Sequence, residues 1–72
     1  MMQKQYDLGF SYFSSGIIVY NRKEEVNYDY KVIAYINHNR QVKFYEDLPA
    51  EIKNIIINYA LTANPKISMS NI

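Results

Sequence analysis

The chain has no cysteine and no tryptophan, and only two glycines and two prolines in 72 residues. Without cysteine there is neither a disulfide nor a cysteine-ligated zinc site. Scarce glycine and proline leave little turn material, so most of the chain is expected in regular structure. An excess of one charge is also missing. Eight Lys and Arg face seven Asp and Glu, a net charge of +1. Duplex-DNA binders carry a clear basic excess, which this chain lacks, although a local basic patch remains open. Long apolar runs are absent too. Ile55-Ile56-Ile57 falls far short of the roughly 20 residues that span a bilayer as a helix. The opening stretch Met1–Asp7 has no apolar core of a signal peptide. These absences predict a soluble cytoplasmic protein with no membrane partner.

Catalytic groupings are equally sparse. The one histidine, His38, falls at an expected hairpin tip, where no carboxylate orients it for acid–base work. Glu24 and Glu25 are adjacent, so in a strand they point to opposite faces. Ser14-Ser15 has no nucleophile motif around it, and neither a phosphate loop nor metal-ligand spacing is present. The expectation is no enzyme and no cofactor.

What is present in quantity is aromatic: eight Tyr and three Phe. Tyr suits strands and interfaces, because its ring packs while its hydroxyl stays wet. A chain of this size buries only about 60% of its unfolded surface, which leaves the core marginal. Lacking disulfides, it is expected to gain stability by pairing with itself, as a homodimer. Residues 6–63 are expected to form one domain, after a frayed start at residues 1–5 and before a flexible tail at 64–72. In that tail Ile67, Met69 and Ile72 could dock on a neighbour.

The hydrophobic periodicity gives the element order. Asp7–Phe13 alternates Leu8, Phe10 and Tyr12 against Gly9, Ser11 and Phe13, a strand period. Ser14-Ser15-Gly16 reads as a three-residue turn with Gly16 at positive φ. That turn would set Tyr12 opposite Ile18 and Phe10 opposite Tyr20. Asn21–Asp29, with four consecutive charges from Arg22 to Glu25, reads as a polar connection with Val26 and Tyr28 tucked under the sheet edge. A second hairpin follows, from Tyr30 to Tyr45. Directly paired residues must share a face. A His38-Asn39-Arg40 loop satisfies this by pairing Asn37 with Gln41, Ile36 with Val42 and Ala34 with Phe44. It also pairs Tyr35 with Lys43 and Ile33 with Tyr45, and it requires Arg40 in a left-handed conformation. A helix opens at Leu48-Pro49, with Leu48, Ile52, Ile55, Ile56, Tyr59, Ala60 and Ala63 at helical spacing. Ile57 lies off that stripe as a partner contact, and Asn64-Pro65 ends the helix.

The expected fold is therefore α+β: a four-stranded antiparallel sheet of two hairpins with one C-terminal helix on one face. The helix is expected on Val32, Ala34, Ile36, Val42 and Phe44. The other face would display Lys31, Ile33, Tyr35, Lys43 and Tyr45. Exposed apolar area of that kind calls for a partner. A protein partner or a second copy is expected there and on the charged segment, through Arg22, Glu24, Glu25 and Tyr28. Tyr interleaved with Lys could alternatively stack single-stranded bases.

Several stretches resemble a family pattern. Gly16-Ile-Ile-Val-Tyr-Asn-Arg-Lys-Glu-Glu-Val26, Asp29-Tyr-Lys-Val-Ile-Ala-Tyr-Ile36, Val42-Lys-Phe-Tyr45 and Leu48-Pro-Ala-Glu-Ile52 occur in its order. The pattern has the form G-N-G-I-T-V-W-N-R-x-E-E-V-x-G-D-Y-K-x-x-A-x-I. It is similar to small proteins carried by conjugative plasmids, integrated elements and phages of gut bacteria. The likeness covers about residues 7–60. It departs at Tyr20, where the pattern has Trp, and at Tyr28, where it has Gly; the second change argues against a tight turn before Asp29. The resemblance implies no catalytic residue. It implies a protein that binds and modulates host or element machinery, such as restriction or CRISPR effectors.

Overall fold

Backbone pairing carries the chain through four antiparallel strands and then into one helix. The computed structural model describes residues 4–62. The strands are β1 (Leu8–Phe13), β2 (Gly16–Val26), β3 (Asp29–Asn37) and β4 (Val42–Phe44), in spatial order β1-β2-β3-β4, followed by α1 (Ala50–Thr62). The fold is α+β, with the helix across one face of the sheet. The positions named above in 63–72, Ala63 and the tail contacts among them, lie outside the described residues.

The first turn is shorter than expected. Phe13 pairs with Gly16, so only Ser14 and Ser15 form the loop. Phe10 then meets Val19 and Tyr12 meets Ile17, one step from the expected partners. Gly16 lies within the strand rather than the loop, but has the expected positive φ, 157°, which residues with a side chain rarely adopt. A Cβ there would also run into the Ile36 carbonyl oxygen. The Tyr35 hydroxyl closes over the same turn, donating to the Ser15 carbonyl at 2.7 Å.

The β3–β4 hairpin has the expected register, with Ala34↔Phe44, Tyr35↔Lys43 and Ile36↔Val42. Asn37 N–H donates to the Gln41 carbonyl at 2.9 Å, and Arg40 N–H to the Asn37 carbonyl at 2.9 Å. Arg40 takes φ 69°, a conformation that costs a non-glycine residue roughly 1–2 kcal/mol. Its side chain explains why arginine stands there. Nη1 donates to the Ala60 and Leu61 carbonyls at 2.9 and 2.8 Å. Those carbonyls lie in the last turn of α1 (Ala50–Thr62), where a cation meets the negative end of the helix dipole.

The main departure lies in β3. Val19 pairs with Ala34, but Tyr20 pairs with Val32, so Ile33 is an extra residue in a β-bulge. A bulge resets the alternation of faces. Ile33 joins Ala34 inside and is fully buried, whereas Val32 is 39% exposed. The expected roles of these two residues are exchanged. Lys31 consequently moves to the helix side, paired with Asn21.

The core is Val19, Ile33, Ala34, Ile36, Leu48, Ile56 and Ala60, with Leu8, Phe10, Ile17, Val42, Phe44, Ile52 and Tyr59 against it. Phe10 and Tyr59 stack at 3.9 Å between ring centres, which fixes the helix over β1. Lys53 lies 5.7 Å over the Phe44 ring, which sets its other flank over β4. Ile55 belongs to the expected stripe but is 46% exposed, because the helix turns a narrower strip inward around Ile56 and Ala60.

The expected polar connection is mostly strand. β2 runs on to Val26 and closes on β3 through Glu25↔Tyr30 and Val26↔Asp29. Between Asn21↔Lys31 and Glu25↔Tyr30, β2 carries three unmatched residues, Arg22 to Glu24. Asn21 holds this irregularity. It is fully buried, yet its Oδ1 accepts from the Asp7 and Lys23 amides at 2.9 and 3.0 Å. Its Nδ2 donates to the Gln5 carbonyl at 3.2 Å. Gln5 and Asp7 are thereby tied to the sheet, within the segment expected to be a frayed start.

The exchange of Val32 and Ile33 makes a direct prediction. Ile33→Ala is expected to destabilise by roughly 2–5 kcal/mol, as a large-to-small core change does. Val32→Ala should cost well under half as much in the same urea titration. Equal costs would show the bulge to be misplaced.

Candidate functional site

With the helix on one side, the other side of the sheet is bare. Strand pairing assigns its residues: Ser11 and Phe13 from β1, Ile18 and Tyr20 from β2, Val32 and Tyr35 from β3, and Lys43 from β4. Ser11, Phe13, Ile18, Tyr20, Asp29, Tyr30 and Val32 line an open groove of about 260 Å³. Its floor exists because Gly9 has no side chain: the Tyr20 ring lies where a Cβ at Gly9 would be. Tyr20 in turn stacks on Tyr30, with ring centres 5.4 Å apart and planes within 6°. Phe13, Tyr30 and Val32 remain 52%, 42% and 39% exposed. An aromatic, partly wet groove of this kind suits recognition.

Tyr35, Lys43 and Tyr45 were expected on this face. Tyr35 and Lys43 sit side by side in the β3–β4 ladder, and the Lys43 ammonium lies 5.8 Å from the Tyr45 ring centre. The Tyr45 amide still donates to the Ile33 carbonyl at 2.9 Å. Ile33 itself is buried and unable to touch a partner there, and Lys31 lies on the opposite side. The bulge accounts for both corrections.

The charged segment is a two-stranded ribbon rather than a loop. Arg22 is fastened to Asp7: Nε and Nη2 reach the two carboxylate oxygens at 3.2 Å each, and Nη2 also reaches the Leu8 carbonyl at 3.2 Å. The guanidinium holds the Asp7 carboxyl below its ordinary value. Glu25, paired with Tyr30, is exposed. At the tip, Asn27 and Tyr28 have φ 54° and 68°, the conformation of a two-residue hairpin turn. The tight turn before Asp29 forms despite the missing glycine. Neither Val26 nor Tyr28 is tucked away: Val26 is 48% exposed, and Tyr28 stands wholly in solvent at 103%.

Lys31 and Glu24 belong to a four-charge cluster on the helix side. Lys4 meets Glu24 at 2.9 Å and Glu46 at 3.2 Å; Lys31 meets Glu46 at 2.7 Å and Glu24 at 3.6 Å. Glu24 Oε1 is enclosed without an aligned hydrogen bond, so Lys4 reaches it as an ion pair. The Lys4 ammonium holds the Glu24 carboxyl below its ordinary value, and Lys31 does the same to Glu46. Both lysines are raised in return. The alternating charges neutralise one another and clamp residue 4 to β2, β3 and the β4–α1 connection. That pairing leaves Lys31 little free charge for a ligand.

Sequence reasoning missed Phe13, Ile18, Tyr20, Tyr30 and Val32 as members of the bare face. The pairing of Tyr20 with Gly9 was the available signal, because a large ring opposite glycine is a packing unit. No local residue type marks the bulge that brings Val32 out. Among the described residues no cluster of His, Asp and Glu could hold a metal ion, and no helix is long and apolar enough to cross a membrane. His38 is exposed at the β3–β4 tip. Comparison with family models, with curated proteins and with solved structures gave no match.

Two measurements follow from these placements. A Glu whose folded pKa is depressed stabilises above its unfolded value and loses that contribution as pH falls through the folded one. Stability should therefore be flat around neutrality and drop below the ordinary carboxyl value of 4.5, with Asp7 adding to the fall. Glu24→Gln with Glu46→Gln should flatten that drop in urea midpoints recorded against pH; an unchanged acid limb would rule out the cluster as its source. At the ribbon tip, a left-handed Tyr is strained where Gly is not. Tyr28→Gly should stabilise by about 1 kcal/mol, read as a raised midpoint for thermal unfolding.

Proposed function

We propose that the protein is a non-catalytic binding module that engages a protein partner through the bare sheet face and the ribbon tip. The observation that carries this reading is the juxtaposition of two features. A groove walled by Phe13, Tyr20 and Tyr30 opens on the face the helix leaves uncovered. Asp29 and Tyr30 of that groove lead directly to Tyr28, a fully exposed aromatic in a strained conformation. Tyr28, wholly in solvent, gains nothing from its position within the monomer. Buried against a partner, aromatics are the commonest energetic anchors of interfaces. Tyr35, Lys43 and Tyr45 extend the surface toward β4.

Single-stranded nucleic acid is the alternative occupant. It would use Tyr35 and Tyr45 for stacking and Lys43 for phosphate. Lys31, the second cation that reading needs, is paired with Glu46 and Glu24 on the other side of the sheet. That leaves the face poorly charged for a polyanion, so a protein partner is favoured. By the resemblance in the sequence, the partner would belong to host or mobile-element machinery, defence effectors among them, in a bacterial cytoplasm.

The test uses a variant that separates binding from folding. A complex captured with the wild-type chain should be lost with Tyr28→Gly and Tyr30→Ala combined, although Tyr28→Gly alone raises stability. Retention of the same complex by the folded double variant would overturn the reading. Binding to single-stranded oligonucleotides that weakens steeply with salt would overturn it in favour of the alternative.

A further inference from the structure

The two edges of the sheet are not alike. β4 is three residues long and carries Lys43 at its centre, which are standard protections against edge pairing. β1 spans Leu8–Phe13 with no lysine, no proline and no shift in its register with β2. Its hydrogen-bonding direction can be read from one bond. The Arg22 amide donates to the Asp7 carbonyl at 2.8 Å, so Asp7 and Arg22 form a hydrogen-bonded pair. In an antiparallel ladder such pairs alternate. Gly9, Ser11 and Phe13 therefore turn their amides and carbonyls toward β2, while Leu8, Phe10 and Tyr12 turn theirs to the free edge. Among the described residues the only group bonded there is Arg22 Nη2, on the Leu8 carbonyl, and that oxygen keeps a second lone pair.

We propose that β1 pairs antiparallel with β1 of a second copy, centred on Phe10, to form one continuous eight-stranded sheet. The register is self-complementary. Phe10 faces its own equivalent, and Leu8 faces Tyr12 at either end. All three are outward-bonding positions with side chains on the helix side, so bonding direction and face agree at every pair. A two-fold axis requires that match.

The helix supplies the second reason that the occupant is this same chain. Tyr59 stacks on Phe10, so its flank of α1 overlies β1. Ile55, one turn earlier on that flank, is 46% exposed. Joining two β1 edges sets the two helices side by side over the extended sheet. Ile55 and Tyr59 of each then lie on the facing flanks, covered by their counterparts. An unrelated peptide strand added at β1 would satisfy the backbone but leave Ile55 in water. The dimer also leaves both bare faces free on the same side, so it stands independently of the partner reading above.

Hydrogen exchange on the full chain, recorded at high concentration and after dilution, tests the pairing. The Phe10 and Tyr12 amides should be protected when concentrated and exposed when dilute. Those of Gly9 and Ser11 should stay protected throughout by β2. Sedimentation should show a dimer at high micromolar concentration, weakened about tenfold or more by Ile55→Glu, since the change buries two like charges together. That variant should keep its circular dichroism spectrum. Three results would each overturn the proposal. One is a chain that stays monomeric. Another is a dimer whose Phe10 and Tyr12 amides exchange freely, which would locate the contact on the bare face. The third is protection of those amides at every dilution, which would mean that the chain covers its own edge.

Discussion

A single extra residue in β3 decides what each side of this sheet is for. Strand alternation alone would face Ile33 outward with Tyr35. The bulge turns it inward beside Ala34, where both are fully buried, and sends Val32 outward in exchange. The consequences run along the rest of the strand. Lys31 arrives on the helix side, where Glu24 and Glu46 receive it. Tyr30 arrives on the bare side, where it stacks on Tyr20 and completes the groove. Without the bulge the groove would lose one wall, and a lysine would replace it.

The second irregularity lies in β2. The two strands are back in step at Tyr20↔Val32 and Asn21↔Lys31 before it begins. Three residues of β2 loop out between Asn21 and Glu25. A buried asparagine is costly unless its amide is satisfied, and Asn21 has three hydrogen bonds. All three go to the irregular stretch or to the segment before β1. One side chain thus converts a register fault into a junction that holds residues 4–7, β2 and the ribbon together.

Much of this fold was legible because its signals are local. The β3–β4 register followed from requiring apolar residues to share a face, and that requirement predicted Arg40 in a left-handed conformation. The element order and the helix face at Ile56 and Ala60 followed from periodicity. The errors within the sheet have one physical origin. Bulges and shortened loops are settled by fit across the sheet, through the Tyr20 ring over Gly9 and the Ile36 carbonyl against Gly16. Those contacts join residues far apart in sequence. An error of one residue changes the face of every side chain beyond it, so the predicted surface kept Tyr35, Lys43 and Tyr45 but lost Lys31 and Ile33. The strained tip at Tyr28 was hidden by the opposite assumption, that a turn without glycine would not be tight.

Arg40 and Tyr28 show how differently the same backbone strain can be compensated. Both adopt a left-handed conformation that glycine would take at lower cost. Arg40 recovers the cost inside the molecule, by bonding two carbonyls in the last turn of the helix. Tyr28 has nothing comparable: its side chain is wholly solvated and the turn gains nothing from it. Strain with an internal compensation is part of folding, whereas strain without one directs attention outward. That contrast, more than the abundance of tyrosine, is what the proposed partner reading rests on at the ribbon tip and the groove behind it.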